Sequence, residues 1–415
     1  MLCFVILTLS IPELILNIFY GRFQEGYLSW VSGVADNSLY PILLLDCFLQ
    51  LMGTWEWADN DFGFLEEGPW RLVVVMTLTF GLTYLNYRGL DVVGKVAVFL
   101  CIFTMLPFVV FCLLGAGQVQ PERWAVQPPD GWRGINWRLY LNTFFWNINY
   151  WDSAACFAGD VKNPGYTYPR GLFLAFAFVT LSAFLPVLVG LGASSKPYTE
   201  WTDGYFTALA VEIGGPWLGI WMLAAATVCN IGCFEAEMST DSWQIAGMAD
   251  RGILPTAMGH RSKYDTPTCG ILMSACGVFC LCWMSFSEVI DMLNVLYCIA
   301  QLVEFAAFVQ LRIKHPDMPR PYRIPLGTVG VSLMLLIPAL FCVLIISLSS
   351  KATLLVITAI TLFGFVLQGF LHIARERGWF EFHNIYSDSA LLRQTQAFHQ
   401  YESIPTLELP PPRLA

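Results

Sequence analysis

The chain has 415 residues, of which 56% are hydrophobic and 13% charged, and its mean hydropathy is +0.58. A soluble domain of this size does not need so apolar a composition for its core, so the composition favours a membrane protein. The formal net charge of -9 argues against nucleic-acid binding, because nothing in the sequence resembles a basic stripe.

Ten apolar windows reach or come within a residue of the length that crosses a bilayer, roughly 17 to 25 residues. They are Gly26–Met52, Leu72–Tyr87, Val92–Leu114, Leu139–Phe157, Leu172–Leu191, Trp217–Phe234, Thr268–Phe286, Ile290–Leu311, Leu326–Leu348 and Ala352–Ile373. The sequence therefore predicts an all-α, polytopic membrane helix bundle of about ten spans.

Basic residues are concentrated in alternate connecting segments, which predicts orientation because such loops are retained on the cytoplasmic side. The basic segments are Arg88–Lys95, Lys162–Arg170, Arg251–Lys263 and Arg312–Arg323. The acidic segment Gly53–Pro69 is expected on the outside. Its carboxylates either attract cations to an entrance or merely reinforce the topology, and the sequence leaves both open.

Acidic side chains also lie inside the apolar windows, where an ionisable group is costly and normally faces a cavity or a partner. Asp36 has Tyr40 one helical turn later, and Glu304 has Tyr297 two turns earlier on the same face. A second set of acids comprises Asp46, Glu235, Glu237 and Asp241. A position near the bilayer interface, where the side chains can reach water, would also explain this second set. Basic partners inside the windows are nearly absent, which indicates that a cationic substrate supplies the missing charge.

The segment Asn142–Asp160 packs Asn147, Asn149, Asp152 and Ser153 among aromatic side chains, which a helix facing lipid on all sides would not tolerate. This pattern predicts a broken helix beside a cavity, where transport proteins place binding sites. Amide and carboxylate oxygens accept hydrogen bonds from an ammonium group, and aromatic faces attract it. The alternative is an unbroken helix packed by aromatics inside the bundle.

Other classes of protein lack support in the sequence. There is no nucleotide-binding loop, no dinucleotide glycine pattern, and no metal-ligand spacing among the five histidines. No enzymatic activity, metal or cofactor is therefore expected. A channel is disfavoured because no repeated filter-like glycine motif occurs.

Five long motifs resemble the L-type amino acid transporter branch of the amino acid-polyamine-organocation superfamily, and most closely its polyamine uptake transporters of plants and protists. The motifs are Phe23–Pro41, Trp146–Ala154, Asn230–Ser242, Met248–Pro255 and Leu302–Gly327. The likeness extends from about Phe23 to the last span.

The resemblance implies an inverted-repeat fold of twelve spans, of which the ten windows would be the third to the twelfth. The first repeat is then expected to be truncated, without its first broken helix. The implied division is an N-terminal remnant at 1–22, a transmembrane transporter domain at 23–375 and a disordered cytoplasmic tail at 376–415.

The resemblance also implies a function: secondary active uptake of putrescine, spermidine or an amino acid through a multi-pass protein of the plasma membrane. Protons are a candidate coupling ion, and the lipid bilayer is the other partner. The implied substrate-binding residues are Asp36, Tyr40, Asn149, Tyr150, Trp151, Asp152, Glu237 and Tyr297. Trp151 is expected to act as a gate, and Glu237 to contact a cation or proton. The alternative is a non-transporting or partner-dependent member of the same family.

Overall fold

The computed structural model describes residues 21–53, 65, 68–125, 131–157, 161, 163–196, 201, 204–314, 316 and 324–383. Residues 1–20 of the expected remnant, the acidic segment between 54 and 64, and the tail from 384 lie outside the described residues. Across the described ranges the chain is almost entirely helical and forms no β-strand.

Twelve α-helices occur in the described ranges. They are α1 (Gly21–Asn37), α2 (Tyr40–Met52), α3 (Pro69–Tyr87), α4 (Leu90–Gly115), α5 (Trp137–Trp146), α6 (Pro164–Ala193), α7 (Tyr205–Gly214), α8 (Pro216–Asp250), α9 (Thr268–Leu281), α10 (Phe286–Lys314), α11 (Thr328–Leu348) and α12 (Lys351–Glu376). A 3-10 helix at Trp151–Phe157 follows α5.

Each predicted window overlaps at least one of these helices, which confirms the all-α prediction. In the described part of the chain, α4, α6, α8, α10, α11 and α12 contain stretches long and apolar enough to cross a bilayer, judged by length and composition. Such a set of helices indicates a multi-pass integral membrane protein.

Two local predictions were wrong. The first window, Gly26–Met52, is not one helix, because α1 ends at Asn37 and α2 begins at Tyr40, with Pro41 in its first turn. Proline has no N–H to continue the hydrogen bonding of α1, but its fixed backbone angle suits a helix start. The segment Asn163–Arg170, expected to be a loop, instead begins α6, with Asn163 in the left-handed conformation just before it.

The helix α8 has 35 residues and extends well past the predicted window Trp217–Phe234. Glu235 and Asp241 therefore lie within a helix, and each is only 2% exposed. The surrounding protein covers these carboxyl groups, so their side chains do not extend to water. Asp46 differs, because its carboxylate lies 2.7 Å from a guanidinium nitrogen of Arg71.

The carboxylate of Asp291, at the start of α10, joins three elements. One of its oxygens accepts hydrogen bonds from Arg138 of α5 at 2.6 Å and from the hydroxyls of Ser349 and Thr353 at 3.0 and 2.7 Å. The backbone N–H of Ser350 donates to the same oxygen at 3.2 Å. The beginning of α5 is therefore fixed to α10 and to the turn between α11 and α12.

The helices α8 and α9 pack backbone against backbone at Gly270. A Cβ atom at this position would lie 2.5 Å from the carbonyl oxygen of Ser242 and 2.8 Å from its Cα. Backbone atoms cannot move aside as a flexible side chain can, so only glycine fits without shifting a helix.

We expect Gly270→Ala to lower the free energy of unfolding by about 1–3 kcal/mol, the usual cost of overpacking. The matched control is Gly247→Ala in α8, where a Cβ would meet nothing within 4 Å. Thermal unfolding of the detergent-solubilised protein, followed by size-exclusion chromatography, should show a lower midpoint for the first variant only. Equal midpoints for the two variants would contradict this packing.

Candidate functional site

The helix predicted to break does so. It ends at Trp146, and residues 147–150 leave the helical conformation before the 3-10 helix at Trp151–Phe157. Tyr150 has a φ of 62°, in the left-handed region that bulky residues rarely occupy. Such a conformation costs about 1–3 kcal/mol and persists only where the surroundings enforce it.

Side chains of α1 and α10 hold Tyr150 in this conformation. Its backbone N–H donates to the hydroxyl of Tyr297 at 3.0 Å, and its own hydroxyl lies 2.6 Å from the Ser32 hydroxyl. The rings of Tyr150 and Tyr297 have centroids 4.6 Å apart. The Tyr297 hydroxyl in turn donates to the Asp152 carboxylate at 2.5 Å. The broken segment is therefore bound to both neighbouring helices.

Asp36 connects the end of α1 to α2 and α5. One carboxylate oxygen accepts from the Trp146 indole N–H at 2.6 Å, and the other accepts from the Tyr40 hydroxyl at 2.8 Å. Asp36 is 3% exposed. The predicted pairing with Tyr40 thus holds although α1 and α2 are separate helices.

Gly33 lets two carboxylates of α8 reach α1. A Cβ at Gly33 would lie 2.1 Å from Oδ1 of Asp241 and 2.9 Å from Oε1 of Glu237. Any larger residue would push these groups away from α1. Oδ2 of Asp241 is buried and has no hydrogen-bond partner among the described residues. The carboxylates of Glu237 and Asp241 therefore lie one turn of α1 from Asp36.

A second cluster of acidic side chains lies further along the same face of α1. Glu25 and Glu304 share a side-chain hydrogen bond, and Asp152 is close enough to both for its charge to act on them. Gln301, one turn before Glu304, lies close enough to both Glu304 and Asp152 to act on their carboxyl groups. Asp152 therefore lies between the two acidic clusters, in contact with α10.

Neither acidic cluster has a basic partner in the part of the chain that the structure describes. Among the described residues, no ion pair within 4.0 Å joins a lysine, arginine or histidine to the carboxylates of these six residues: Glu25, Asp36, Asp152, Glu237, Asp241 and Glu304. Asp46 and Asp291, by contrast, each pair with an arginine. The six acids around the broken helix thus differ from Asp46 and Asp291, whose charges are compensated by arginine.

Most of the predicted site residues lie around the break, and the side chains of Asn149 and Trp151 make contacts of their own beside it. Asp36, Tyr40, Tyr150, Asp152, Glu237 and Tyr297 lie around the break as described above. The Asn149 side chain instead donates to Asn294 of α10 at 3.4 Å. Trp151 packs in apolar clusters with Tyr168 and Leu172 of α6 and with Tyr297.

Three participants were not predicted: Glu25, Ser32 and Gln301. Their spacing carries a signal, because Glu25, Ser32 and Asp36 follow each other at seven and four positions, on one face of a helix. Gln301 similarly lies on the helical face that Tyr297 and Glu304 share. A search for polar stripes at helical spacing would have found both sets.

Comparison with known proteins places the chain in a family. Residues 15–366 match the amino acid permease family. The chain is 47% identical to the probable polyamine transporter At3g19553 of Arabidopsis thaliana, over 88% of this chain and 73% of the relative. It is 45% identical to the polyamine transporter RMV1 of the same plant, over 88% and 72%.

A rice relative gives a similar result. The chain is 44% identical to the polyamine transporter PUT1 of Oryza sativa subsp. japonica, over 88% of this chain and 66% of the relative. The family match covers most of the described helices, including α1, the broken segment after α5, α8 and α10. The chain therefore belongs to the amino acid permease family of membrane transport proteins.

Proposed function

We propose that the protein transports polyamines across the plasma membrane by secondary active transport. The observation that carries this proposal is the set of carboxylates around the broken helix that have no basic partner among the described residues. A polyamine brings several ammonium groups, each of which can donate to these oxygens. The relatives named as polyamine transporters support the same substrate class.

In the proposed binding mode, one ammonium group lies near Asp36 and Glu237. The Tyr40 hydroxyl and the Trp146 indole N–H already bond to Asp36, so two aromatic residues lie beside this position, and such residues can add cation–π attraction to that of the carboxylates. Asp152 provides the next acidic group along the path, held by Tyr297. We propose Trp151 as a gate on the α6 side and Asn149 as a residue that positions the break.

An amino acid is the alternative substrate within this family. Its carboxylate needs free N–H donors, typically at the start of a helix. At the break, however, the Tyr150 N–H already donates to Tyr297, and the nearby ionisable side chains are carboxyl groups. This arrangement favours a substrate with several positive charges and no negative one.

We propose that residues 23–375 form the transport unit, that both ends of this unit face the cytoplasm, and that the substrate crosses without chemical change. Protons are the proposed coupling ion.

Uptake by cells that express the protein tests the substrate class. Radiolabelled putrescine and spermidine should accumulate saturably above cells carrying an empty vector, and excess unlabelled leucine should not compete. Leucine uptake with no amine uptake would establish the amino acid alternative. Uptake of neither, with the protein present at the cell surface, would favour a non-transporting member of the family.

The variant Asp36→Asn should raise the amine concentration needed for half-maximal uptake about 10-fold or more. It removes a charge-assisted hydrogen bond worth about 1.5–3 kcal/mol. The matched control is Asp46→Asn, which neutralises an acid of α2 that already pairs with Arg71. The half-saturating amine concentration is measured from uptake at a series of amine concentrations, in cells with equal surface expression. An effect of the same size in both variants would show that Asp36 has no special role.

The variant Tyr297→Phe should lower the maximal uptake rate several-fold, because the Tyr297 hydroxyl joins the Tyr150 N–H to Asp152. Without that hydroxyl the strained backbone at Tyr150 loses its acceptor. Tyr27→Phe is the control, since the Tyr27 hydroxyl donates only to a backbone carbonyl of α12, at 3.3 Å. Initial uptake rates compare the two, and unchanged uptake in Tyr297→Phe would remove this hydroxyl from the proposed mechanism.

A further inference from the structure

The carboxyl pair formed by Glu25 of α1 and Glu304 of α10 is not explained by amine binding alone. The two side chains hydrogen bond to each other directly. An ionised carboxylate can only accept hydrogen bonds, so a hydrogen bond between the two groups needs a proton on one of them. The pair is therefore placed to bind one proton between two helices.

Unpartnered polar atoms point into the same place. Oε2 of Glu304 and Oε1 of Gln301 are buried and have no hydrogen-bond donor among the described residues. Glu304 is 8% exposed and Gln301 is 1% exposed. Buried acceptors of this kind are rarely left unsatisfied, and a proton on Glu304 converts one of them into a donor.

The direct contact favours a proton over a substrate ammonium group at this position. An ammonium nitrogen placed between two carboxyl groups would hold their oxygens about 5 to 6 Å apart, twice an ordinary hydrogen-bond distance. The Glu25 and Glu304 groups instead touch each other. A proton is the one cation that such a contact accommodates without separation.

The charged surroundings of the pair are mostly acidic. Asp152, on the 3-10 helix, acts on both Glu25 and Glu304, and Tyr297 of α10 lies within range of Glu304. The basic group acting on Glu25 is Arg251, immediately after α8, which forms no ion pair with it within 4.0 Å. The neighbouring helices α9 and α12 contribute uncharged groups to α1, namely Ser274 to Trp30 and Gln368 to Gln24.

We propose that the Glu25–Glu304 pair is the proton-binding site that couples proton movement to amine transport. This inference rests on the proposed function and identifies the residues that carry the coupling ion. The step is a simple transfer. A proton from water binds one carboxylate of the pair, and later the same O–H bond breaks and the proton returns to water on the opposite side of the membrane.

The location of the pair explains how binding and release would be linked to the substrate. Glu25 and Glu304 bridge α1 and α10, and the same two helices hold Tyr150 through Ser32 and Tyr297. Loss of the proton places two negative charges side by side, which repel each other and favour separation of the helices. An ammonium group at Asp152 neutralises the remaining negative charge at the same interface, so the two helices stay together only when both cations are bound.

Proteoliposomes containing the purified full chain and a pH-sensitive dye in the lumen test this inference. In wild-type protein, labelled putrescine should accumulate when the outside is acidic, with measurable acidification inside. Glu304→Gln should lower both this accumulation and the associated proton flux at least tenfold. It should retain exchange of external labelled putrescine for internal unlabelled putrescine, which needs no net proton movement.

The variants Glu25→Gln and Glu288→Gln complete the design. Glu25→Gln should behave as Glu304→Gln does, which guards against misfolding of one variant. Glu288→Gln removes an exposed acid at the start of α10 that binds only Ser285, so it should transport as wild type does. Proton-coupled accumulation that persists in both pair variants would overturn the proton site but not the transport function. Absence of both exchange and accumulation in wild type would overturn the proposed function itself.

Discussion

Burying a carboxylate away from water costs several kcal/mol unless hydrogen bonds or an opposite charge compensate. The part of the chain that the structure describes brings six carboxyl groups around one broken helix without an ion pair, while Asp46 and Asp291 each have an arginine. Much of the architecture serves to hold these six groups in place. Tyr40, Trp146 and Tyr297 donate hydrogen bonds to Asp36 and Asp152, but none of them supplies a positive charge.

The backbone around these acids is adapted to them at two positions. Gly33 has no Cβ, and this allows Glu237 and Asp241 to approach α1. Tyr150 takes a left-handed conformation, and this directs its N–H and its hydroxyl to different helices. Asp291 fixes the first half of the broken helix through Arg138, so movement at the break is expected in the half that follows Trp146. A rigid half and a strained junction are what a gated path requires.

The sequence alone predicts the spans and the break well, since both depend on local composition. Apolar windows locate the helices, and the polar residues among aromatics at Asn142–Asp160 predict the interruption. The start of α6 was missed because Pro164 and Pro169 suggest a loop, whereas proline is tolerated early in a helix. Pairings between helices, such as Glu25 with Glu304, depend on which faces meet, and spacing within one helix does not contain that information.

The most direct test of the account is a structure of the protein determined by cryo-electron microscopy in the presence of spermidine. The account predicts density for an elongated ligand with its nitrogen atoms within hydrogen-bond distance of Asp36, Glu237 or Asp152. It would be contradicted if these carboxylates proved to be paired with lysine or arginine side chains of the protein, with no ligand between them.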